Sequence, residues 1–299
     1  MNNAILFFYN IHISELNKIN NNYYFKYLNN NYGIYLYDRD VNDINEIYRL
    51  NLELYQKGLI TYEIVLTKDN NILFNHDNKL YILMKMPNIK NRIINFNDIL
   101  SFNFIVDSKY KKIDKSNWDI SWSNKIDFID YQFKQLENKY SIISESIDYF
   151  TGIWENAITY FNSNKTEKSI KVVSHKRINI NTDLYAFLNP LNFVIDYKER
   201  DTSEYIKSYI MNKNFSVNTF DNYLNSLDRD SLILLISRLL FPSYYFDLYE
   251  DIILSLKKEK ELIEVLDKKD NTLLLLKYIF NKYKEYNIPY IDWIIKKED

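Results

Sequence analysis

The sequence contains no cysteine, so disulfide bonds, thiolate zinc sites and cysteine nucleophiles are all excluded. Its only glycines, Gly33, Gly58 and Gly152, lie far apart in the chain. A phosphate-binding glycine loop or a dinucleotide fingerprint needs several clustered glycines, because the backbone must approach the anion closely. Both of these nucleotide-binding motifs are therefore excluded.

Long apolar runs and an excess of basic charge are also missing. No apolar run approaches the roughly 18 residues that a membrane-spanning helix needs. The start, MNNAILFFYN, has no basic leader and no cleavage site, and is interpreted as mature sequence. The 38 basic and 40 acidic side chains give a formal charge of −2, whereas nucleic-acid-binding proteins usually carry a basic excess. We expect a cytoplasmic protein with no nucleic-acid partner and no membrane insertion.

The first 88 residues predict a small β-rich domain. Runs rich in aromatic or β-branched residues, bounded by asparagine clusters or proline, predict four strands, at 22–29, 33–38, 61–67 and 79–86. Between the second and third strands, apolar residues recur at helical spacing: Ile44, Ile47, Leu50 and Leu54. Gly58 follows as a helix stop.

From about residue 100 the apolar spacing becomes mainly helical. Helices are predicted at 126–140, 143–162, 201–212, 217–226, 229–240, 245–258, 260–267 and 271–286. Two short strands, 170–174 and 192–196, interrupt this helical pattern. The sequence therefore predicts an α+β protein with a β-rich domain at 1–88 and a helical domain at 89–299, with a short β insertion around a loop that contains His175.

Four segments resemble a known family: YFTGIWENAITY (149–160), SHKRI (174–178), LNPLNFVIDYKERDTSEYIKSY (188–209) and SRLLFPSYYFDLYE (237–250). With the order of elements, they resemble the aminoglycoside and choline kinase-like phosphotransferases, and among these the spore coat kinase-like proteins of Firmicutes, of the CotS/YutH type. The resemblance covers most of the chain and is weakest in the first 80 residues. It implies a protein kinase-like two-lobe fold, with a small β-rich N-lobe and a larger helical C-lobe.

Active members of the wider family need a strand lysine for the nucleotide phosphates, a helix glutamate that orients it, and a carboxylate that accepts the substrate proton. The strand at 33–38 contains no lysine, so Glu46 and Glu53, the candidates for the helix glutamate, lack that partner. The resemblance expects the proton-accepting aspartate two residues after His175, and Arg177 stands there. A guanidinium group accepts no proton.

The two metal-binding positions of the family are matched only in part. Thr182 stands at the position of the metal-binding asparagine, with Asn181 beside it. Asp196 matches the strand-end aspartate, so the resemblance makes it the one candidate metal ligand. A turn cap or an ion pair with Arg200 is the alternative for Asp196.

The resemblance gives His175 a structural role, holding its loop by hydrogen bonds. Asp201 and Glu204 have the spacing of a capping box at a helix start, although the resemblance also implies that Asp201 braces the histidine loop. The apolar segment at 237–250 is interpreted as core. Tyrosines on the first two strands, if exposed, favour protein contacts, and codon bias is the alternative explanation.

The favoured function is that of a catalytically degenerate kinase-fold protein, a pseudokinase, which binds protein partners and requires no cofactor. The resemblance suggests the spore coat as its place of assembly. One alternative is a small-molecule phosphotransferase that uses ATP and Mg²⁺ with an unusual base such as Asp183. The other is a pseudokinase that senses a nucleotide by binding ATP.

Overall fold

The computed structural model describes residues 1–106, 109–136, 139–164, 169–212 and 215–295. The chain forms two compact units. The smaller unit comprises Met1–Ile94, Val106–Asp114 and Asn181–Ile195, and the larger one Asn95–Ile105, Lys115–Ile180 and Asp196–Asp299. The predicted domain boundary at residue 88 stays a prediction. It does not include the two later segments, Val106–Asp114 and Asn181–Ile195, that belong to the smaller unit.

A six-stranded antiparallel sheet forms most of the smaller unit. Its strands are β1 (Asn17–Ile19), β2 (Asn22–Tyr27), β3 (Asn30–Leu36), β4 (Glu63–Val65), β5 (Phe74–His76) and β6 (Lys79–Lys85). The order across the sheet is β1-β2-β3-β6-β4, and β5 also pairs with β6. The four predicted strands correspond to β2, β3, β4 and β6. Strands β1 and β5 were not predicted because β1 (NKI) is exposed throughout and β5 (FNH) has a single buried residue, so neither shows an apolar run.

Asparagine-containing turns join the first three strands, as the sequence predicts. Strands β1 and β2 are linked by Asn20 and Asn21, and strands β2 and β3 by Leu28 and Asn29. Asn20, Leu28 and Asn29 have φ values of 54°, 45° and 62°. Asparagine tolerates this left-handed region, which two-residue hairpin turns favour.

Among its described residues the smaller unit has three α-helices, α1 (Asn2–Tyr9), α2 (Ile44–Gln56) and α6 (Leu184–Phe187), and two short 3-10 helices, Val41–Asp43 and Pro190–Asn192. The predicted apolar face of α2 is confirmed, because Ile44, Ile47, Leu50 and Leu54 are all buried. Gly58 follows α2 with a φ of 88°, a conformation that is much less costly for glycine than for other residues. Helix α1 was not predicted because its apolar residues form one continuous run, AILFFY, which shows no helical period.

The larger unit is mainly helical. Its helices are α3 (Phe96–Ser101), α4 (Trp118–Leu136), α5 (Ser141–Ser163), α7 (Glu199–Asn212), α8 (Asp221–Leu224), α9 (Arg229–Leu240), α10 (Ser243–Ile253), α11 (Leu262–Asp267), α12 (Asp270–Lys282) and α13 (Asp292–Ile295). Strands β7 (Lys171–His175) and β8 (Phe193–Tyr197) form a separate two-stranded sheet, and of β8 only Asp196 and Tyr197 belong to the larger unit. Helix α4 starts eight residues before the predicted position 126, and residues 137 and 138 of that prediction lie outside the described residues.

The core of the larger unit combines aliphatic side chains with many stacked aromatic rings. The apolar segment at 237–250 belongs to this core, as predicted, since Phe241, Tyr245 and Phe246 are buried. Phe241 stacks on Trp122 with ring centroids 4.6 Å apart, and Tyr245 stacks on Phe150 at 3.9 Å. The stretch Arg229–Ile253 is long and apolar enough to cross a membrane, but 78% of its most apolar window is buried inside the protein. The stretch consists of helices α9 and α10, and its apolar side chains belong to the core of the larger unit.

Candidate functional site

The histidine loop begins where β7 ends. His175 is 1% exposed, and its ring packs against Phe102 with centroids 5.0 Å apart. Its Nδ1 lies 2.6 Å from Oδ2 of Asp201, and its backbone N–H donates to Oδ1 of the same carboxylate at 3.0 Å. The imidazole is therefore enclosed and held by Asp201.

The capping-box prediction for Asp201 and Glu204 is wrong, whereas the brace of the histidine loop that the resemblance implies for Asp201 is present. Helix α7 begins at Glu199, two residues earlier than expected, so Asp201 already lies in the first turn. Both of its carboxylate oxygens face His175. Glu204 instead accepts hydrogen bonds from Lys207 and Arg238, both at 2.7 Å.

Arg177, two residues after His175, points into solvent. Its side chain is 69% exposed, and Nη1 lies 2.7 Å from Oδ2 of Asp247 on α10. Lys125 on α4 also approaches Asp247, at 4.0 Å. A permanent positive charge, paired with the carboxylate of Asp247, therefore occupies the position two residues after His175. Exposed ion pairs of this kind contribute about 0–1 kcal/mol to stability.

Asp196, the candidate metal ligand at the end of β8, is 0% exposed. Its Oδ1 accepts hydrogen bonds from Nε1 of Trp118 and from the backbone N–H of Tyr197, both at 2.8 Å. Its Oδ2 accepts one from Nη1 of Arg200. Burial raises the pKa of this carboxyl group, and the charges of Arg200 and Arg238 oppose that effect.

These surroundings do not fit a divalent cation. Mg²⁺ requires close to six oxygen ligands in octahedral geometry, whereas both oxygens of Asp196 face N–H donors. Within the described ranges, no group of three histidine or acidic residues is arranged to hold a metal. Thr182 and Asn181, at the second metal position of the family, belong to the smaller unit.

A buried ion network lies beside Asp196 and was missed by the sequence analysis. Lys207 is 1% exposed, and its Nζ donates to Glu204 at 2.7 Å, to the carbonyl of Phe241 at 3.0 Å and to Ser243 at 2.7 Å. Burial lowers the pKa of Lys207 to about 8, against the opposing effect of Glu204. Only the spacing of Glu204 and Lys207, three residues apart on one helix, hints at this pair in the sequence.

Trp118 connects this network to Asp196. While its Nε1 donates to Asp196, its ring lies 5.2 Å from the guanidinium carbon of Arg238. Arg238 also approaches the rings of Trp122 and Phe241, at 5.6 and 5.1 Å. Such cation–aromatic contacts reach about 2 kcal/mol when they are desolvated. The residues around Asp196 thus form a compact cluster in which each buried carboxylate is paired with at least one cation of the same chain.

In the smaller unit, the two candidate helix glutamates have partners other than a strand lysine. Glu46 accepts from the backbone N–H of Lys112 at 2.9 Å. Glu53 contacts Lys57, Lys109 and Tyr110, which together hold its pKa at about 2. Both carboxylates therefore link α2 to the segment at 109–112 of the same unit.

Strand β3 carries an aromatic cluster and no lysine. Tyr35 is buried against the rings of Tyr24 and Tyr62, with centroids 5.8 and 6.0 Å away. A Cβ atom at Gly33 would approach the Tyr35 ring to 2.4 Å, so glycine is required there for this packing. Burial raises the pKa of Tyr35 strongly, so its hydroxyl group stays protonated.

A groove of about 790 Å³ lies within the smaller unit, beside the β2–β3 hairpin. Its lining includes Tyr24, Lys26, Met86 and Tyr185. Asp183, the alternative base, lies nearby in sequence and caps α6, where its Oδ1 accepts from the N–H of Ala186 at 2.7 Å. Of the tyrosines considered for protein contacts on the first two predicted strands, Tyr35 and Tyr37 are buried, whereas Tyr23, Tyr24 and Tyr27 are half-buried.

Comparison with known proteins relates the chain to two groups. Residues 2–274 match the profile of the family described as "Spore coat putative kinase YutH". Over 285 residues, covering 86% of this chain and 84% of the relative, the chain is 25% identical to the endospore coat-associated protein YutH of Bacillus subtilis.

Solved phosphotransferases share the fold at low sequence identity. An aminoglycoside phosphotransferase from Alicyclobacillus acidocaldarius superposes with a TM-score of 0.65 at 10% identity, covering 95% of this chain and 97% of that one. Amicoumacin kinase hAmiN, solved with AMP-PNP and Ca²⁺, gives 0.59 at 9% identity, covering 90% and 91%. The predicted kinase-like α+β fold, with a β-rich N-lobe and a helical C-lobe, is thereby confirmed.

Proposed function

Because the chain belongs to the YutH family of spore coat kinase-like proteins, we propose that it is a non-catalytic member, a pseudokinase that acts in the spore coat by binding other proteins. One observation carries this proposal. Arg177 stands where the resemblance to the phosphotransferases leads us to expect a proton-accepting aspartate, and its guanidinium is paired with Asp247 at 2.7 Å. Since a guanidinium accepts no proton, a substrate hydroxyl group is not activated there.

Two further observations support the loss of phosphoryl transfer. The oxygens of Asp196 are engaged by Trp118, Tyr197 and Arg200, which leaves a metal no favourable place beside them. Strand β3 carries Tyr35 in an aromatic cluster and contains no lysine that would hold nucleotide phosphates. The location in the coat is supported by the relative in Bacillus subtilis, which is endospore coat-associated.

A second candidate function is nucleotide sensing without transfer. The groove of about 790 Å³, with its aromatic and amide lining, favours it. Fold relatives have been solved with nucleotides, among them spectinomycin phosphotransferase with ADP. Under this second function the protein binds ATP or a related nucleotide, with or without Mg²⁺, and nucleotide binding changes its affinity for a protein partner.

A thermal-shift assay and a turnover assay separate these functions. For the non-catalytic binding role we expect neither a shift of the melting temperature with ATP and Mg²⁺ nor ATP hydrolysis. A shift without turnover supports nucleotide sensing, since a ligand that binds the native state raises its melting point. Turnover that Asp183→Asn abolishes, in a variant that remains folded, supports the phosphotransferase alternative and overturns the proposal.

The location is tested separately from the chemistry. A tagged chain, expressed in Bacillus subtilis in place of its own YutH, is expected in the coat fraction of the spores. The variant Arg177→Ala should be found there equally, because the exposed guanidinium takes no part in phosphoryl transfer and contributes little stability. A chain that remains in the mother-cell cytoplasm would contradict the coat assignment.

A further inference from the structure

The buried carboxylate of Asp196 requires a positive charge beside it. An ionised carboxylate without a partner is very costly in the protein interior. Asp196 is 0% exposed, and Arg200, four residues later, places Nη1 against its Oδ2. The protein thus supplies the compensating charge from its own chain.

Arg200 also holds the histidine loop. Its Nε donates to the carbonyl oxygen of His175 at 3.0 Å, and its Nη2 donates to that of Lys176 at 3.1 Å. The planar guanidinium thereby joins the end of β8 to two successive carbonyls of the loop. A point charge with the same sign does not reproduce this fork of directed hydrogen bonds.

We propose that Arg200 takes the place of a divalent cation in this protein, fixing Asp196 and the histidine loop in one arrangement without any metal. The guanidinium of Arg200 repels a divalent cation at Asp196, because two positive charges beside the same buried carboxylate interact unfavourably. Asp201, the next residue of α7, holds the backbone N–H and the ring of His175 from the same helical turn. Arg200 is therefore a positioning residue, and the loop conformation is independent of Mg²⁺. The inference concerns the loop alone and holds whether or not the protein binds a coat partner.

The indole of Trp118 provides a direct readout, because its Nε1 donates to Asp196. In ¹⁵N-labelled full-length protein, the Trp118 indole resonance is assigned by its loss in Trp118→Phe. We expect this resonance to stay in place when Mg²⁺ or Ca²⁺ is added in excess. A saturable shift with either cation would show that a metal reaches Asp196 and would overturn the proposal.

Hydrogen exchange of the loop tests the role of Arg200 itself. In Arg200→Ala the loop loses the two hydrogen bonds that Arg200 donates to the carbonyls of His175 and Lys176, so it should open more readily. We therefore expect the His175 amide, which donates to Asp201, to exchange faster by about tenfold or more for each of these two bonds. Added methylguanidinium should restore part of the protection, whereas methylammonium and Mg²⁺ should not. Unchanged exchange in Arg200→Ala, or rescue by Mg²⁺, would contradict the proposal.

Two further variants serve as controls for the loss of an arginine and for a failure of Arg200→Ala to fold. Arg229→Ala removes an arginine that is 48% exposed at the start of α9, and it should leave the loop exchange unchanged. If Arg200→Ala does not fold, Arg200→Lys retains the charge but lacks the fork, and should show intermediate protection of the His175 amide. ATP turnover with an unshifted Trp118 resonance would refute the non-catalytic function while leaving this inference intact.

Discussion

Glu199, the first residue of α7, carries a buried carboxyl group that lacks full hydrogen bonding. It is 3% exposed, and its Oε2 has no hydrogen-bond partner within the part of the chain that the structure describes. Burial raises its pKa from 4.5 to about 7, a hydrogen bond with Ser231 lowers it, and the smaller effects of Lys198 and Asp228 oppose each other. The substitution Glu199→Gln removes this titration and retains the shape of the side chain.

The sign of the effect follows from the two pKa values. Below pH 4.5 the carboxyl group is protonated in both states and has no cost. Between pH 4.5 and 7 the unfolded state releases the proton while the folded state keeps it, so stability falls as the pH rises. Above pH 7 the loss is complete. The difference of about 2.5 pK units, at about 1.36 kcal/mol each, corresponds to about 3 kcal/mol.

We therefore expect Glu199→Gln to stabilise the protein by about 3 kcal/mol at pH 8 and by about 1 kcal/mol or less at pH 5. Urea denaturation of both proteins at the two pH values measures this difference. Glu155→Gln, which changes an exposed carboxyl group on α5, is the matched control and should show no such pH dependence. An equal effect of Glu199→Gln at both pH values would refute the account of the buried carboxyl group.

Four further substitutions test other parts of the structure by denaturant unfolding. Arg200→Ala should cost about 3–5 kcal/mol because it leaves a buried charge unpaired, whereas Arg177→Ala should cost at most about 1 kcal/mol; equal costs would contradict the difference in burial. Trp154→Ala should cost about 3–5 kcal/mol, as its 0% exposed ring leaves a cavity, and a cost below about 1 kcal/mol would show that the core is not packed there. Asn51→Leu should cost about 1–3 kcal/mol, because the carbonyl of Tyr62 loses its 2.8 Å hydrogen bond; a neutral effect would mean that this carbonyl finds another donor.

Several features of the fold were readable from sequence because their signals are local. The apolar spacing of Ile44, Ile47, Leu50 and Leu54 predicted the buried face of α2, which only needs a helix of ordinary geometry. Strands β1 and β5 gave no such signal, since β1 is exposed throughout and β5 has only one buried residue. The start of α7 was misplaced by two residues, because acidic and hydroxyl side chains at 201–204 imitate a helix cap.

The sequence by itself indicated the α+β class from the order of its strand and helix patterns. It also determined the absence of a glycine-rich phosphate loop and the presence of an arginine two residues after His175, because these depend only on residue identity and short spacing. The sequence left two alternatives for Asp196, a metal ligand or an ion pair with Arg200, and the tertiary structure shows the ion pair. The tertiary structure also supplies contacts that no short spacing indicates, from Trp118 to Asp196 and from Asp201 to the ring of His175. Trp118 and Asp196 are 78 residues apart in the chain, and His175 and Asp201 are 26 residues apart. Hydrogen bonds over such separations depend on how whole helices and strands pack, and no local pattern encodes that packing.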